Sequence, residues 1–76
     1  MREWTIEVGT VISDSEGSYE IVAFKEKGGT LCTAKECLYN DDGSYTLGRI
    51  VYLTESEVKR CYKFETGLNL DKVICK

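Results

Sequence analysis

Histidine and proline are both absent from the 76 residues. Without imidazole there is no Ser-His or Cys-His pair, no histidine metal ligand and no side chain that ordinarily titrates near neutrality. No run of 18 apolar residues occurs, so no segment reads as a membrane-spanning helix. The opening residues, Met1-Arg2-Glu3-Trp4-Thr5-Ile6-Glu7, lack the apolar core of a secretory signal, and a cytoplasmic location is the default expectation. Gly28-Gly29 is followed by neither Gly-Lys-Ser/Thr nor a helix opening, so it is not a phosphate loop. Internal repeats, low-complexity stretches and linkers are missing too.

What is present is the composition of a folded domain: 42% hydrophobic residues, 30% charged and eight aromatics. The length allows one domain over residues 1–76. A chain this short buries only about 60% of the surface its unfolded form exposes. A cleft able to enclose a cofactor would consume much of so small a core, and no cofactor is expected. The adjacent carboxylates Asp41 and Asp42 are explained by a turn and lack the spaced ligands of a calcium loop. With no catalytic constellation, the chain reads as a non-enzyme.

Charge is unevenly distributed. Residues 1–57 carry eleven acids and five bases, a net of −6, whereas residues 58–76 carry two acids and five bases, a net of +3. An acidic face of this kind fits a basic partner, because opposite potentials steer association. Four cysteines, Cys32, Cys37, Cys61 and Cys75, are separated by four, 23 and 13 residues. Structural zinc sites usually draw ligands in tight pairs, and the second pair, Cys61 and Cys75, is too loose, so no metal is expected. Reduced thiols fit a non-secretory chain, with Cys32 and Cys61 in the core and Cys75 the most exposed.

Strand signals dominate the first two-thirds. Trp4, Ile6 and Val8 alternate with polar residues, and the pattern resumes at Val11-Ile12. A bend at Gly9 would let one long strand turn a corner. A turn over Asp14–Ser18 leads to a second strand, Tyr19 to Lys25, apolar on both faces and therefore central. Lys27-Gly28-Gly29 forms the next turn. Thr30 to Tyr39 is a third strand, with a short helical turn over Ala34–Leu38 as the alternative. Asn40-Asp41-Asp42-Gly43 is the strongest turn, and Tyr45 to Leu53 is the strand after it. In simple alternation Tyr45, Leu47, Arg49, Val51 and Leu53 share one face, and Ile50 and Tyr52 the other.

The period then changes. Thr54-Glu55-Ser56-Glu57 is a capping box, and Val58, Cys61 and Tyr62 make a helical stripe. The helix spans roughly residues 55–65 and stops at Gly67. Leu68 to Lys76 reads as a last strand. The fold class is mainly β with one helix: a small antiparallel barrel or curled sheet.

The residues Val8-Gly9-Thr10-Val11-Ile12, Asp14 and Gly17-Ser18-Tyr19-Glu20-Ile21-Val22 resemble the opening hairpin of an SH3-like barrel. Leu53-Thr54-Glu55-Ser56-Glu57-Val58 after a hairpin is similar to small SH3-like proteins carried by bacteriophages and other mobile elements. The chain lacks the Ala-Leu-Tyr-Asp-Tyr run and the Trp-Trp pair of signalling SH3 domains, which argues against proline-peptide binding. The resemblance suggests a fold and an origin but implies no particular activity, since small barrels host many functions; given that origin, the expectation is an inhibitor of a host nucleic-acid-binding or defence protein.

Five tyrosines and a tryptophan exceed what so small a core needs, and such residues favour interfaces. The expected function is therefore occupation of a protein partner's surface. The candidate partner-binding residues are Trp4, Tyr39, Tyr45 and Tyr52, with the acidic turn Asp41-Asp42. The alternative is a nucleic-acid-binding regulator using Lys59, Arg60 and Lys63 on the helix. An exposed sheet edge also allows a homodimer.

Overall fold

In the computed structural model, residues 1–24 and 28–76 are described. Six strands and one helix follow in the order β1 (Glu3–Ile6), β2 (Val11–Asp14), β3 (Gly17–Ala23), β4 (Cys32–Tyr39), β5 (Tyr45–Leu53), α1 (Glu55–Thr66) and β6 (Lys72–Cys75). The chain is thus mainly β, as the alternation predicts. Strands β2-β3-β4-β5 form one antiparallel sheet, and β1 and β6 form a separate parallel pair. The four-stranded sheet is open, with β2 and β5 as its two edges, so the antiparallel sheet describes it and the closed barrel does not.

Gly9 does more than bend a strand. It adopts a left-handed φ of 96° in a turn closed by the Thr10 N–H donating to the Glu7 carbonyl at 3.0 Å. The expected single long strand is thereby split into β1 and β2, which belong to different sheets. The final strand, expected within an antiparallel sheet, instead runs parallel to β1 with Trp4 opposite Val73 and Thr5 opposite Ile74. The helix between β5 and β6 supplies the crossover that returns the chain to that side.

The segment from Cys32 to Tyr39 is strand throughout, since its backbone is held between β3 and β5; the helical alternative fails because a central strand outcompetes one local turn. Strand β3 is internal, as its two apolar faces predicted, and ends at Ala23. Phe24, expected in the strand, lies beyond its end and packs against the core; Lys25, and Lys27 of the following turn, lie outside the described residues. Gly28 and Gly29 of that turn both have positive φ.

Helix α1 starts and stops where its caps dictate. The Thr54 hydroxyl accepts from the Glu57 N–H at 3.3 Å, and the Glu57 carboxylate accepts from the Thr54 N–H at 3.0 Å. Gly67 closes the helix with φ 76° and donates its N–H to the Lys63 carbonyl at 2.7 Å. Val58 and Cys61 face inward. With Ile6, Ile12, Ile21, Cys32, Ala34, Leu53, Leu70 and Val73 they make one core between the helix, the β1–β6 pair and a single face of the four-stranded sheet. Each such aliphatic side chain contributes roughly 1.5–3 kcal/mol on full burial.

Candidate functional site

The sheet therefore has an inner face that carries the core and an outer face that no described element covers. Cross-strand pairing assigns each residue. Cys32 opposite Leu53 and Ala34 opposite Val51 are inner pairs, and all but the half-buried Val51 are buried. Thr33 opposite Tyr52, Lys35 opposite Ile50, Cys37 opposite Leu47 and Tyr39 opposite Tyr45 are outer pairs. Between Lys35 and Cys37 the count slips, so that β4 advances two residues while β5 advances three. Gly48 and Arg49 thus stand together opposite Glu36 in a β-bulge. The Arg49 Nε lies 2.9 Å from the Glu36 carboxylate, which places Arg49 on the inner-face side. A Cβ built on Gly48 would meet Leu38 Cδ1 at 3.0 Å, so the small residue fits under Leu38.

The bulge changes which side chains share a face. Simple alternation groups Tyr45 and Leu47 with Val51 and Leu53. The extra residue instead moves Tyr45 and Leu47 to the outer face with Ile50 and Tyr52. Four of these outer residues are strongly exposed: Leu47 at 42%, Ile50 at 54%, Tyr52 at 57% and Tyr39 at 58%. The result is an apolar and aromatic face along one hairpin, of the kind that marks interaction surfaces when contiguous and large. Leu47 and Ile50 were not among the residues expected from sequence; alternation hid Leu47, and only the glycine at 48 signalled the bulge.

The aromatic face is organised by polar contacts. Tyr39 and Tyr45 meet edge-on with ring centroids 5.4 Å apart. The Tyr45 hydroxyl donates to Glu20 at 2.6 Å, and this bond, followed by burial, pushes its pKa up to about 12. Tyr45 therefore remains a donor at any physiological pH. Cys37, buried on the same face, has its thiol pKa raised first by burial and then by the Glu20 carboxylate.

Asp41 and Asp42 sit at the tip of this hairpin. The Asn40 N–H donates to the Ser44 carbonyl at 2.7 Å, and the Gly43 N–H, at φ 90°, donates to the Asn40 carbonyl at 3.1 Å. Asp42 accepts from both the N–H and the hydroxyl of Ser44, which holds its carboxyl below the usual carboxylate range. Asp41 projects as an exposed charge beside it. The structure thus brings Tyr39, Asp41, Asp42, Tyr45 and Tyr52 onto one hairpin. Trp4 is placed elsewhere: it stands on β1 with its ring 5.2 Å from that of Tyr62, in the half-buried shell of the core.

Lys59, Arg60 and Lys63 also come together. With Ser56, Asn69 and Leu70 they line an open groove of about 510 Å3. Two of these cations are matched by acids, however. Lys59 lies 3.3 Å from Glu55, and Arg60 lies 4.0 Å from Asp14 and 3.8 Å from Glu57. Only Lys63 of the three makes no ion pair among the described residues. The groove is thus lined by three cations and no acid, with carboxylates beside two of the three.

The core thiols are poor nucleophiles. Burial, the leading cause, pushes Cys32 up to about 11 and Cys61 up to about 12, and nearby carboxylates add to both. Cys75, by contrast, is exposed. Comparison with known protein families, with characterised proteins and with solved structures gives no match.

Proposed function

We propose that this chain is a non-enzymatic binding protein that seats a protein partner on the outer face of the β4–β5 hairpin. The observation that carries the reading is the uncovered row of Tyr39, Leu47, Ile50 and Tyr52, on the face opposite to the one that gives Cys32, Ala34 and Leu53 to the core. Aromatic and aliphatic side chains concentrated on a rigid strand pair lose little entropy on docking. Asp41 and Asp42 at the tip give the rim a negative sign, so the complementary partner presents an apolar patch bordered by lysine or arginine.

In its most specific form the reading is that of a small inhibitor, of the sort carried by phages, that occupies a basic nucleic-acid-binding surface. What supports that form is the acidic excess over residues 1–57 and the SH3-like pattern of the first hairpin. Direct nucleic-acid binding through Lys59, Arg60 and Lys63 is less well supported, because two of the three cations already have carboxylate partners.

The test is affinity capture from bacterial lysate, with and without nuclease, using three baits: the wild-type chain, a Tyr39→Ser/Tyr52→Ser variant and a Lys63→Glu variant. The reading expects a discrete protein retained by the wild type and by Lys63→Glu but lost from the tyrosine variant. Retention that vanishes with nuclease or modest salt, and depends on Lys63, would overturn it in favour of nucleic acid.

A further inference from the structure

Strand β5 is both the longest strand and an edge of its sheet, with no strand partner on its outer side among the described residues. Natural edges are usually shortened, charged or covered, because an open row of N–H and C=O groups invites pairing. Here nine residues, Tyr45 to Leu53, carry no acid, no proline and a single charge, Arg49. That charge is already paired with Glu36 at 2.9 Å.

We propose that β5 pairs antiparallel with β5 of a second copy of this chain, about a two-fold axis between Gly48 and Arg49. The bulge is what selects this occupant and this register. In a regular strand, facing residues of a symmetric antiparallel pair are an even number apart. The extra residue in β5 breaks that rule, because Leu47 and Ile50 share the outer face although they are three apart. One register keeps every facing pair on a common face from Tyr45 to Tyr52. It sets Tyr45 opposite Tyr52 of the second copy and Leu47 opposite Ile50 on the outer face. On the inner face it sets Thr46 opposite Val51 and Gly48 opposite Arg49.

A slip of one residue would face Arg49 with its own copy and put inner side chains against outer ones along the strand. In the matched register Arg49 stands beside a glycine, and the axis brings together two Arg49–Glu36 pairs rather than two bare cations. The outer face then becomes a continuous stripe of Tyr45, Leu47, Ile50 and Tyr52 from both copies, to which β5 adds no charge because Arg49 lies on the inner side. Such an isologous interface closes on itself and yields a dimer rather than a fibre.

This dimer does not rest on the partner-binding reading, and the two fail separately. The first measurement is solution mass by sedimentation over a concentration series. The expected result is a rise from 8.6 kDa to twice that value, abolished by Ile50→Lys and unchanged by Tyr39→Ser, which lies on β4 away from the edge. The second measurement is cross-linking of Leu47→Cys and Ile50→Cys, each built in a Cys75→Ser background.

Facing Cα atoms stand about 4.5–5.5 Å apart, within disulfide reach. Position 47 of one copy is displaced from position 47 of the other by about 10 Å along the strands, which is beyond it. Mixed variants should therefore cross-link under mild oxidation, and either variant alone should not. A chain monomeric at every concentration, a single variant that cross-links as well as the mixture, or a segment of another protein occupying the β5 edge would each overturn the proposal.

Discussion

Ile21 and Ile50 belong to the same sheet and differ in the face they occupy. Ile21 has no exposed surface and sits in the core, while Ile50 is 54% exposed on the outer face. Replacing each by threonine keeps the β-branch, so strand propensity changes little and burial decides the outcome. At position 21 two carbon groups leave the core, a loss of about 1.6 kcal/mol at ~0.8 kcal/mol per methylene. The buried hydroxyl without a partner adds about 1–3 kcal/mol. Ile21→Thr should therefore cost about 3–5 kcal/mol.

A chain of 76 residues has roughly 4–11 kcal/mol in total, so that loss is a large share of the whole. At about 4–8 °C per kcal/mol for a domain of this size, Tm should fall by more than about 10 °C. Ile50→Thr should stay within about 0.5 kcal/mol, or less than about 4 °C. Thermal unfolding followed by circular dichroism, at concentrations too low for association, measures both. Equal losses for the two variants would refute the assignment of faces, and with it the uncovered surface.

Thr54→Ala removes the hydroxyl that accepts from Glu57 and should lower stability by about 1 kcal/mol in urea unfolding. Gly67→Ala forces a side chain into φ 76° at the helix end and should cost about 1 kcal/mol by the same assay. The Cys32 and Cys61 thiols are raised to about 11 and 12 in the fold. Their contribution to stability is complete below the ordinary thiol pKa near 9 and drains away as pH rises from there toward 11–12. Unfolding midpoints should therefore fall through that alkaline window, and fall less in a Cys32→Ala variant.

The local devices of this fold were legible in the sequence because their causes are local. Thr54 and Glu57 lie three residues apart and cap one another, and Asn40–Gly43 closes its own turn; both stand where the sequence put them. Strand β5 likewise begins and ends at the predicted residues. What escaped the reading was decided by pairing at a distance. The bulge sets Gly48 and Arg49 together opposite Glu36 on another strand, and it moves Tyr45 and Leu47 to the opposite face. The parallel meeting of β1 with β6 joins the two ends of the chain, which no periodicity within either strand encodes. Trp4 stands apart from the hairpin, half-buried beside Tyr62 of the helix, a contact between residues 58 positions apart that the sequence does not encode locally. Lys59, Arg60 and Lys63 were correctly grouped on one helix, but Asp14, which pairs with Arg60, comes from β2.

The central claim is that the outer face of the β4–β5 hairpin is where the chain meets its protein partner. Side-chain resonances of the protein in the presence of the captured partner test it most directly. The account predicts that Tyr39, Leu47, Ile50 and Tyr52 shift and lose solvent contact, while Lys59, Arg60, Lys63 and Trp4 stay as they are. Changes centred on the helix groove, with the hairpin face undisturbed, would contradict it.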